Sequence, residues 1–113
     1  MPLDLYAGIY VRDQAAAVPW YTRLLGSEPY VVSGTEAVWE LAEHRSVAVE
    51  QDAAHADHSL VTVFVDELDA FVAAASARGV EPAERVAYGN GVRKALYRDP
   101  DGNEIGFGGA PAG

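Results

Sequence analysis

The stretch Arg98-Asp99-Pro100-Asp101-Gly102-Asn103-Glu104-Ile105-Gly106-Phe107 is the part of this chain that decides its fold. Its centre has the composition of a turn, because Pro100 presets φ and both Gly102 and Asn103 tolerate positive φ. Aspartate side chains at such places accept hydrogen bonds from nearby backbone N–H groups. Strand-like apolar residues precede and follow the turn, so the stretch predicts a β-hairpin centred on residues 99–103.

The same order of signals occurs twice along the chain. Each half contains a strand-like run, then about a dozen helix-favouring residues, and then a Glu-Pro pair. A dozen residues is a typical length for a helix in a globular protein. Tyr10 and Phe64 are 54 positions apart, and Glu28 and Glu81 are 53 positions apart. We therefore expect a single domain over residues 1–113, with module one at about 3–52 and module two at about 58–109.

Cap and stop residues predict one helix in each module. The first is predicted over Gln14–Leu25, with Asp13 as its N-cap and Gly26 as its stop. The second is predicted over Leu68–Arg78, with Asp66 as its N-cap. Turn signals then separate three predicted strands in each module: Tyr30–Ser33, Ala37–Ala42 and Ser46–Gln51 in the first, and Arg85–Tyr88, Val92–Arg98 and Glu104–Phe107 in the second.

This double βαβββ pattern, together with its Asp-Pro-Asp-Gly-Asn turn, resembles the vicinal oxygen chelate superfamily of glyoxalases, bleomycin-resistance proteins and extradiol dioxygenases. The resemblance covers residues 3–109, and shorter fragments support it by their order and spacing: Trp20-Tyr21, Leu24-Leu25-Gly26, Val65-Asp66-Glu67-Leu68-Asp69-Ala70-Phe71 and Arg78-Gly79-Val80. It implies an α+β fold in which two βαβββ modules form an open eight-stranded cup, with the helices outside and the binding site on the concave side.

Strand alternation assigns side chains to the concave side. In the first strand Ile9 and Val11 suit the helix side, so Tyr6 and Tyr10 face the cup. For the strand around Trp39 both faces mix apolar and polar residues, and alternation does not choose between them. The residues predicted to bind a ligand are Tyr6, Tyr10, Trp39, Glu50, Leu60, Thr62, Phe64 and Gly106.

These residue types predict the chemistry of the ligand. Aromatic rings stack on flat molecules, and each such contact contributes about 1 kcal/mol. Glu50 offers a carboxylate that can anchor a cationic or hydrogen-bond-donating group. We therefore expect a planar organic ligand that carries such a group.

The resemblance also implies where metal ligands would stand. Metal-dependent members use a histidine in the first strand, a histidine or similar ligand in the fifth, and a glutamate in the last. The corresponding positions of this sequence are Tyr6, Leu60 and Gly106, which bind divalent metals poorly or not at all. We therefore expect neither a metal nor another cofactor.

Composition excludes several kinds of function. Eight Lys+Arg against 17 Asp+Glu give a net charge of −9, which repels the phosphate backbone of nucleic acids. The absence of cysteine excludes disulfides, thiolate catalysis and zinc–thiolate sites. The sequence has neither an apolar run of about 20 residues, which a membrane span needs, nor a signal-peptide pattern. We expect a cytoplasmic protein that binds neither nucleic acid nor membrane.

Together these features predict a metal-free protein that holds a small organic molecule and pairs as a homodimer, with the bleomycin-resistance proteins as its nearest functional model. The alternative is an enzyme, either a glyoxalase-like lyase or isomerase or a dioxygenase. It would use metal ligands displaced by two residues, Asp4, His58 and Glu104. A structural or regulatory protein without a ligand is the third reading.

Overall fold

The computed structural model describes residues 5–110. Within that range the chain forms two helices and eight strands, which confirms the α+β class and the two βαβββ modules. The elements are β1 (Leu5–Val11), α1 (Gln14–Leu25), β2 (Tyr30–Ser33), β3 (Glu36–Ala42), β4 (Arg45–Gln51), β5 (Leu60–Phe64), α2 (Leu68–Ala77), β6 (Glu84–Ala87), β7 (Arg93–Arg98) and β8 (Glu104–Gly109).

Each module forms one mixed four-stranded sheet within the described residues. The strand orders are β1-β4-β3-β2 and β5-β8-β7-β6. In each sheet the first strand of the module pairs in parallel with its last strand, and the other pairs are antiparallel. The edge strands β1 and β5 lie beside each other where the two sheets meet, and α1 contacts α2. The open eight-stranded arrangement therefore consists of two hydrogen-bonded sheets.

The helix α1 begins and ends at the predicted residues. The Asp13 side chain accepts a hydrogen bond from the backbone N–H of Ala15. Gly26 ends the helix with φ 80° and donates its backbone N–H to the carbonyl of Thr22. A left-handed backbone at this position is the usual way in which glycine ends a helix.

The helix α2 starts at the predicted residue, Leu68, but differs from its prediction in its N-cap and in its last residue. It ends at Ala77, one residue early, and the predicted N-cap at Asp66 is wrong. Because α2 starts at Leu68, the cap position falls on Glu67, whose side chain makes no capping hydrogen bond. The ends of several strands also differ from the prediction by one or two residues.

No helix within residues 5–110 is long and apolar enough to cross a bilayer.

The helix-facing residues of both sheets form one buried cluster that spans the two modules. Its largest side chains come from α1, β3, β7 and β8. They are Tyr21, Trp39, Tyr97 and Phe107. The Phe71 ring of α2 stacks on Phe107 with ring centroids 4.0 Å apart. The two modules therefore share a continuous apolar core behind their sheets.

The turn between β7 and β8 carries a buried carboxylate, Asp99. One of its oxygens accepts the backbone N–H groups of Asp101 and Asn103 at 2.9 and 2.8 Å. The other accepts the hydroxyl of Tyr21 in α1 at 2.9 Å. Burial of Tyr21 and the negative charge of Asp99 raise the pKa of the Tyr21 hydroxyl, which therefore stays protonated and donates this bond.

The same turn places the side chain of Asn103 at the junction of the modules. Its amide nitrogen donates to the carbonyl of Tyr10 in β1 at 2.8 Å and to Asp99 at 2.9 Å. Its amide oxygen accepts the backbone N–H of Ser59, just before β5, at 3.0 Å. Asn103 is fully buried, and its polar groups are paired, as buried polar groups normally are. Because one of these partners is in β1, the side chain joins module two to the end of that strand.

A second polar link joins the two helices. The guanidinium of Arg78, which follows α2, donates to the carbonyls of Arg23 and Leu24 in the last turn of α1. These carbonyls lack partners within their own helix, and a cation beside them also complements the helix dipole. Arg78 of module two thus supplies hydrogen-bond donors to the last carbonyls of the module-one helix.

Replacing Asn103 by alanine removes three side-chain hydrogen bonds from a buried position and leaves the Tyr10 carbonyl and the Ser59 N–H without these partners. We expect Asn103→Ala to lower the free energy of unfolding by about 3 kcal/mol, because buried polar groups without partners are costly. Urea denaturation measures this loss. Asn90→Ala is the control, since Asn90 accepts one hydrogen bond in an exposed turn and its loss should cost about 0.5 kcal/mol. Equal losses in the two variants would contradict the proposed link.

Candidate functional site

The face of the first sheet that points away from α1 carries two of the predicted tyrosines. Ile9 and Val11 are buried under the helix, which leaves Tyr6, Gly8 and Tyr10 of β1 on the opposite face. The parallel register places Tyr10 beside Glu50. The structure thus brings Tyr6, Tyr10 and Glu50 together on the concave face of module one.

Two adjoining hollows occupy this face, and we call them together the module-one groove. One has a volume of about 570 Å³ and the other about 230 Å³, and they share Tyr6 and Glu36. Both hollows are open to solvent. Ligand pockets for small organic molecules commonly measure about 300–1,000 Å³, so the groove has the size of a binding site.

The groove is strongly acidic. Glu50 and Glu36 stand directly opposite each other on β4 and β3, while Glu40 and Glu28 lie further along the same surface. No lysine or arginine lines either hollow, and no basic side chain within residues 5–110 forms a salt bridge with these four carboxylates. Like charges directly opposite each other in a sheet are unfavourable. A cation in the groove would relieve that repulsion.

Three tyrosines border these carboxylates. The exposed fractions of Tyr6, Tyr10 and Tyr30 are 58%, 41% and 74%, so their rings are accessible to a ligand. Tyr10 also lies 5.3 Å from His55, measured between ring centroids. The groove therefore combines aromatic surface with negative charge, a combination that favours organic cations.

Trp39 does not belong to this face, and its predicted place in the cup is wrong. It is fully buried under α1, where its ring lies 5.7 Å from that of Tyr21 and its indole N–H donates to the carbonyl of Ser27 at 3.0 Å. A large ring with one donor gains more in the apolar core, where a carbonyl accepts that donor, than on an exposed face.

The inward direction of Trp39 explains why the sequence did not predict three residues of the groove. Because side chains alternate along a strand, an inward Trp39 turns Glu36, Val38 and Glu40 to the concave face. The sequence signal for this face was the indole of Trp39. Once Trp39 is assigned to the core, alternation fixes the faces of all other residues of β3. Tyr30 on the neighbouring β2 was also missed.

The concave face of module two is filled rather than hollow. A Cβ on Gly106 would lie 3.0 Å from a methyl group of Leu96, and one on Gly108 would lie 2.6 Å from the ring of Phe64. Thr62 lies next to Gly106 in the sheet, and the amine of Lys94 is 3.5 Å from its hydroxyl. Leu60 at the start of β5 is exposed to 66%. Side chains thus cover the glycines of β8.

The displaced metal set is not assembled by the residues that the structure describes. The Nδ1 atom of His58 lies 3.0 Å from the carboxylate of Asp57, and Glu104 pairs with Arg98 at 3.2 Å. Asp4, the third member, lies outside the described residues. Within residues 5–110 no three His, Asp or Glu side chains come together as metal ligands.

Comparison with protein families identifies one match. The model of the Glyoxalase/Bleomycin resistance protein/Dioxygenase superfamily matches residues 4–107, nearly the whole chain. A search of the curated proteins finds no match.

Solved structures of the same architecture support this match. A glyoxalase/bleomycin resistance protein from Catenulispora acidiphila DSM 44928 is 49% identical, with a TM-score of 0.93 over 97% of this chain and 100% of its own. A bleomycin-binding protein complexed with bleomycin is 14% identical, with a TM-score of 0.79 over 96% of this chain and 98% of its own. Lactoylglutathione lyase from Agrobacterium tumefaciens is 18% identical, with a TM-score of 0.76 over 96% of this chain and 94% of its own. The two more distant structures share the fold.

Proposed function

Because the chain belongs to the glyoxalase/bleomycin resistance protein/dioxygenase superfamily, we propose that it binds a small organic molecule in the module-one groove without a metal ion. The observation that carries the proposal is the facing pair Glu36 and Glu50, which lies between accessible tyrosines and has no lysine or arginine beside it among the residues that the structure describes. A bleomycin-binding protein of the same fold supports the binding of a small molecule.

The ligand that suits this groove is planar and bears a cationic or hydrogen-bond-donating edge. The rings of Tyr6 and Tyr10 would stack on its plane, and Glu50 would form a charge-assisted bond with its edge. The net charge of −9 would also raise the rate at which such a cation approaches at low salt.

Two ligands with the same ring system test this assignment: 9-aminoacridine, which at pH 7 is a cation with N–H donors, and acridine, which is neutral above pH 7. We expect the cation to bind more tightly, and Glu50→Gln to weaken its binding about tenfold while leaving acridine nearly unchanged. Tyr6→Ala should weaken both about fivefold, since it removes a stacking contact. Isothermal titration calorimetry measures both affinities.

Glu43→Gln is the matched control for Glu50→Gln. It changes the net charge equally, but Glu43 lies in the exposed turn before β4, away from the groove. The control should leave the affinity for 9-aminoacridine unchanged. The proposed site would be refuted if the two variants lost affinity equally, or if neither ligand bound at millimolar concentration.

The residues at the three family ligand positions do not fit a divalent metal. Tyr6 offers a phenol, Leu60 an alkyl group and Gly106 no side chain at all, and Leu96 occupies the space next to Gly106. None of these groups is a common ligand for the divalent ions of zinc, nickel, iron or manganese. The enzymatic alternative depends on displaced ligands, and its His58 and Glu104 lie against the side chains of Asp57 and Arg98.

Elemental analysis of protein purified without chelator should therefore find far less than one Zn, Ni, Fe or Mn per chain. The displaced site would be established instead by one tightly held metal per chain that is lost in His58→Ala and Glu104→Ala. His55→Ala is the control histidine variant, since His55 interacts with Asp52 and Tyr10 and belongs to neither ligand set.

We also infer that the protein is a homodimer. The edge strand β2 is exposed along its whole length, and Val31, which does not line the module-one groove, is exposed to 57%. On β5 Leu60 is exposed to 66%. An open strand edge and exposed apolar surface of this kind are usually covered by a partner, and twofold pairing of identical chains is the commonest arrangement.

Light scattering at micromolar concentration should give the mass of two chains. The mass of a single chain under these conditions would refute the dimer and leave the ligand-binding proposal untouched.

A further inference from the structure

The junction between the modules has two ends, which the internal repeat relates to each other. In the parallel pairs, Ala7 stands opposite Val47 and Val61 stands opposite Ile105. Asn103 lies two residues before Ile105, so its counterpart in module one, two residues before Val47, is Arg45. One end of the junction is closed by the buried Asn103, and the other end carries Arg45.

The Arg45 end is open. A crevice of about 320 Å³ lies there between the modules and adjoins a second hollow of about 250 Å³. Leu41, Arg45, Val63 and Phe64 line both hollows. We call the pair the junction crevice, and its apolar walls come from both modules: Leu25, Leu41, Val63, Val65, Phe71 and Phe107.

Two residue differences between the repeats distinguish the two ends of the junction. The helices start at Gln14 and Leu68, so Tyr21 of α1 corresponds to Ala75 of α2. At the closed end the Tyr21 hydroxyl reaches the buried turn and bonds to Asp99. Ala75 has only a methyl group, and the residue that corresponds to Asp99 is Leu41, which cannot form such a bond.

The junction crevice carries a single positive charge. Arg45 is the one charged residue that lines either hollow in the described part of the chain, and no carboxylate within residues 5–110 forms a salt bridge with it. An arginine at the mouth of an apolar cavity is well suited to a carboxylate, because its planar guanidinium forms paired hydrogen bonds with the two oxygens.

We propose that the junction crevice is a second binding site, which takes an amphipathic organic anion of the aryl carboxylate class. The ring of the ligand lies against the aliphatic and aromatic walls, and its carboxylate bonds to Arg45. This site differs from the module-one groove in its place and in the sign of its charge, so the failure of either proposal leaves the other standing.

Naphthoate and its neutral counterpart naphthamide test the proposal, because they share a ring system and differ in charge. We expect naphthoate to bind about tenfold more tightly than naphthamide, as a charge-assisted bond to arginine implies. NMR titration should shift the methyl signals of Leu41, Val63 and Val65, while those of Val32 and Val38 in the module-one groove stay in place.

Arg45→Gln should abolish the preference for naphthoate, whereas Arg23→Gln should preserve it. Arg23 is an exposed arginine near the end of α1 whose side chain pairs with no carboxylate among residues 5–110, so its replacement matches the change in net charge. Ala42→Phe should block both ligands, because Ala42 is exposed and lines the crevice.

Three results would overturn the proposal: equal affinity for the two ligands, an equal effect of the two arginine variants, or methyl shifts confined to the module-one groove. Absence of binding, together with conversion of a two-chain mass to a one-chain mass by Ala42→Phe, would also overturn it. That last result would assign the junction crevice to contact with a second copy of the chain.

Discussion

The side-chain amide of Asn103 is fully buried where the two modules meet, and it bonds to β1, to the segment before β5 and to its own turn. An amide in such a place is stable only when its donors and acceptors are all paired, because an unpaired buried polar group is costly. The relative position of the modules is therefore specified by hydrogen-bond geometry as well as by apolar contact. Asp99 extends the constraint to Tyr21, so that a helix, an edge strand and a turn are fixed by one polar cluster.

Much of the fold could be predicted from local signals. The turn chemistry at 99–103, the repeat of strand and helix patterns, and Asp13 and Gly26 at the ends of α1 are short-range features, and the structure follows them. What could not be predicted depends on contacts between distant parts of the chain. Trp39 turns inward because the carbonyl of Ser27 and the ring of Tyr21 receive it, and no local pattern shows either partner. The concave placement of Glu36 and Glu40 follows from that single choice.

The two modules share a topology but differ in what their concave faces present. In module one, small residues such as Gly8 and Ala48 leave a hollow between tyrosines and glutamates. In module two, Leu96 and Phe64 lie over Gly106 and Gly108, so the glycines that create space in the backbone are covered by neighbouring side chains. Similar backbones thus give an open acidic surface in one half and a filled surface in the other, and this difference is set by a few residues on each face.

The contact of Arg78 with the end of α1 has a consequence for how the sequence can vary. Gly26 adopts a left-handed backbone, and a Cβ at that position would lie 2.9 Å from the guanidinium carbon of Arg78. A larger residue at 26 would therefore strain the backbone and also displace the cation that completes the helix end. Replacement of Gly26 is therefore disfavoured on two grounds, its backbone conformation and its contact with Arg78, and loss of Arg78 would remove only the second. A residue of the second module thus restricts which residue can end the first helix.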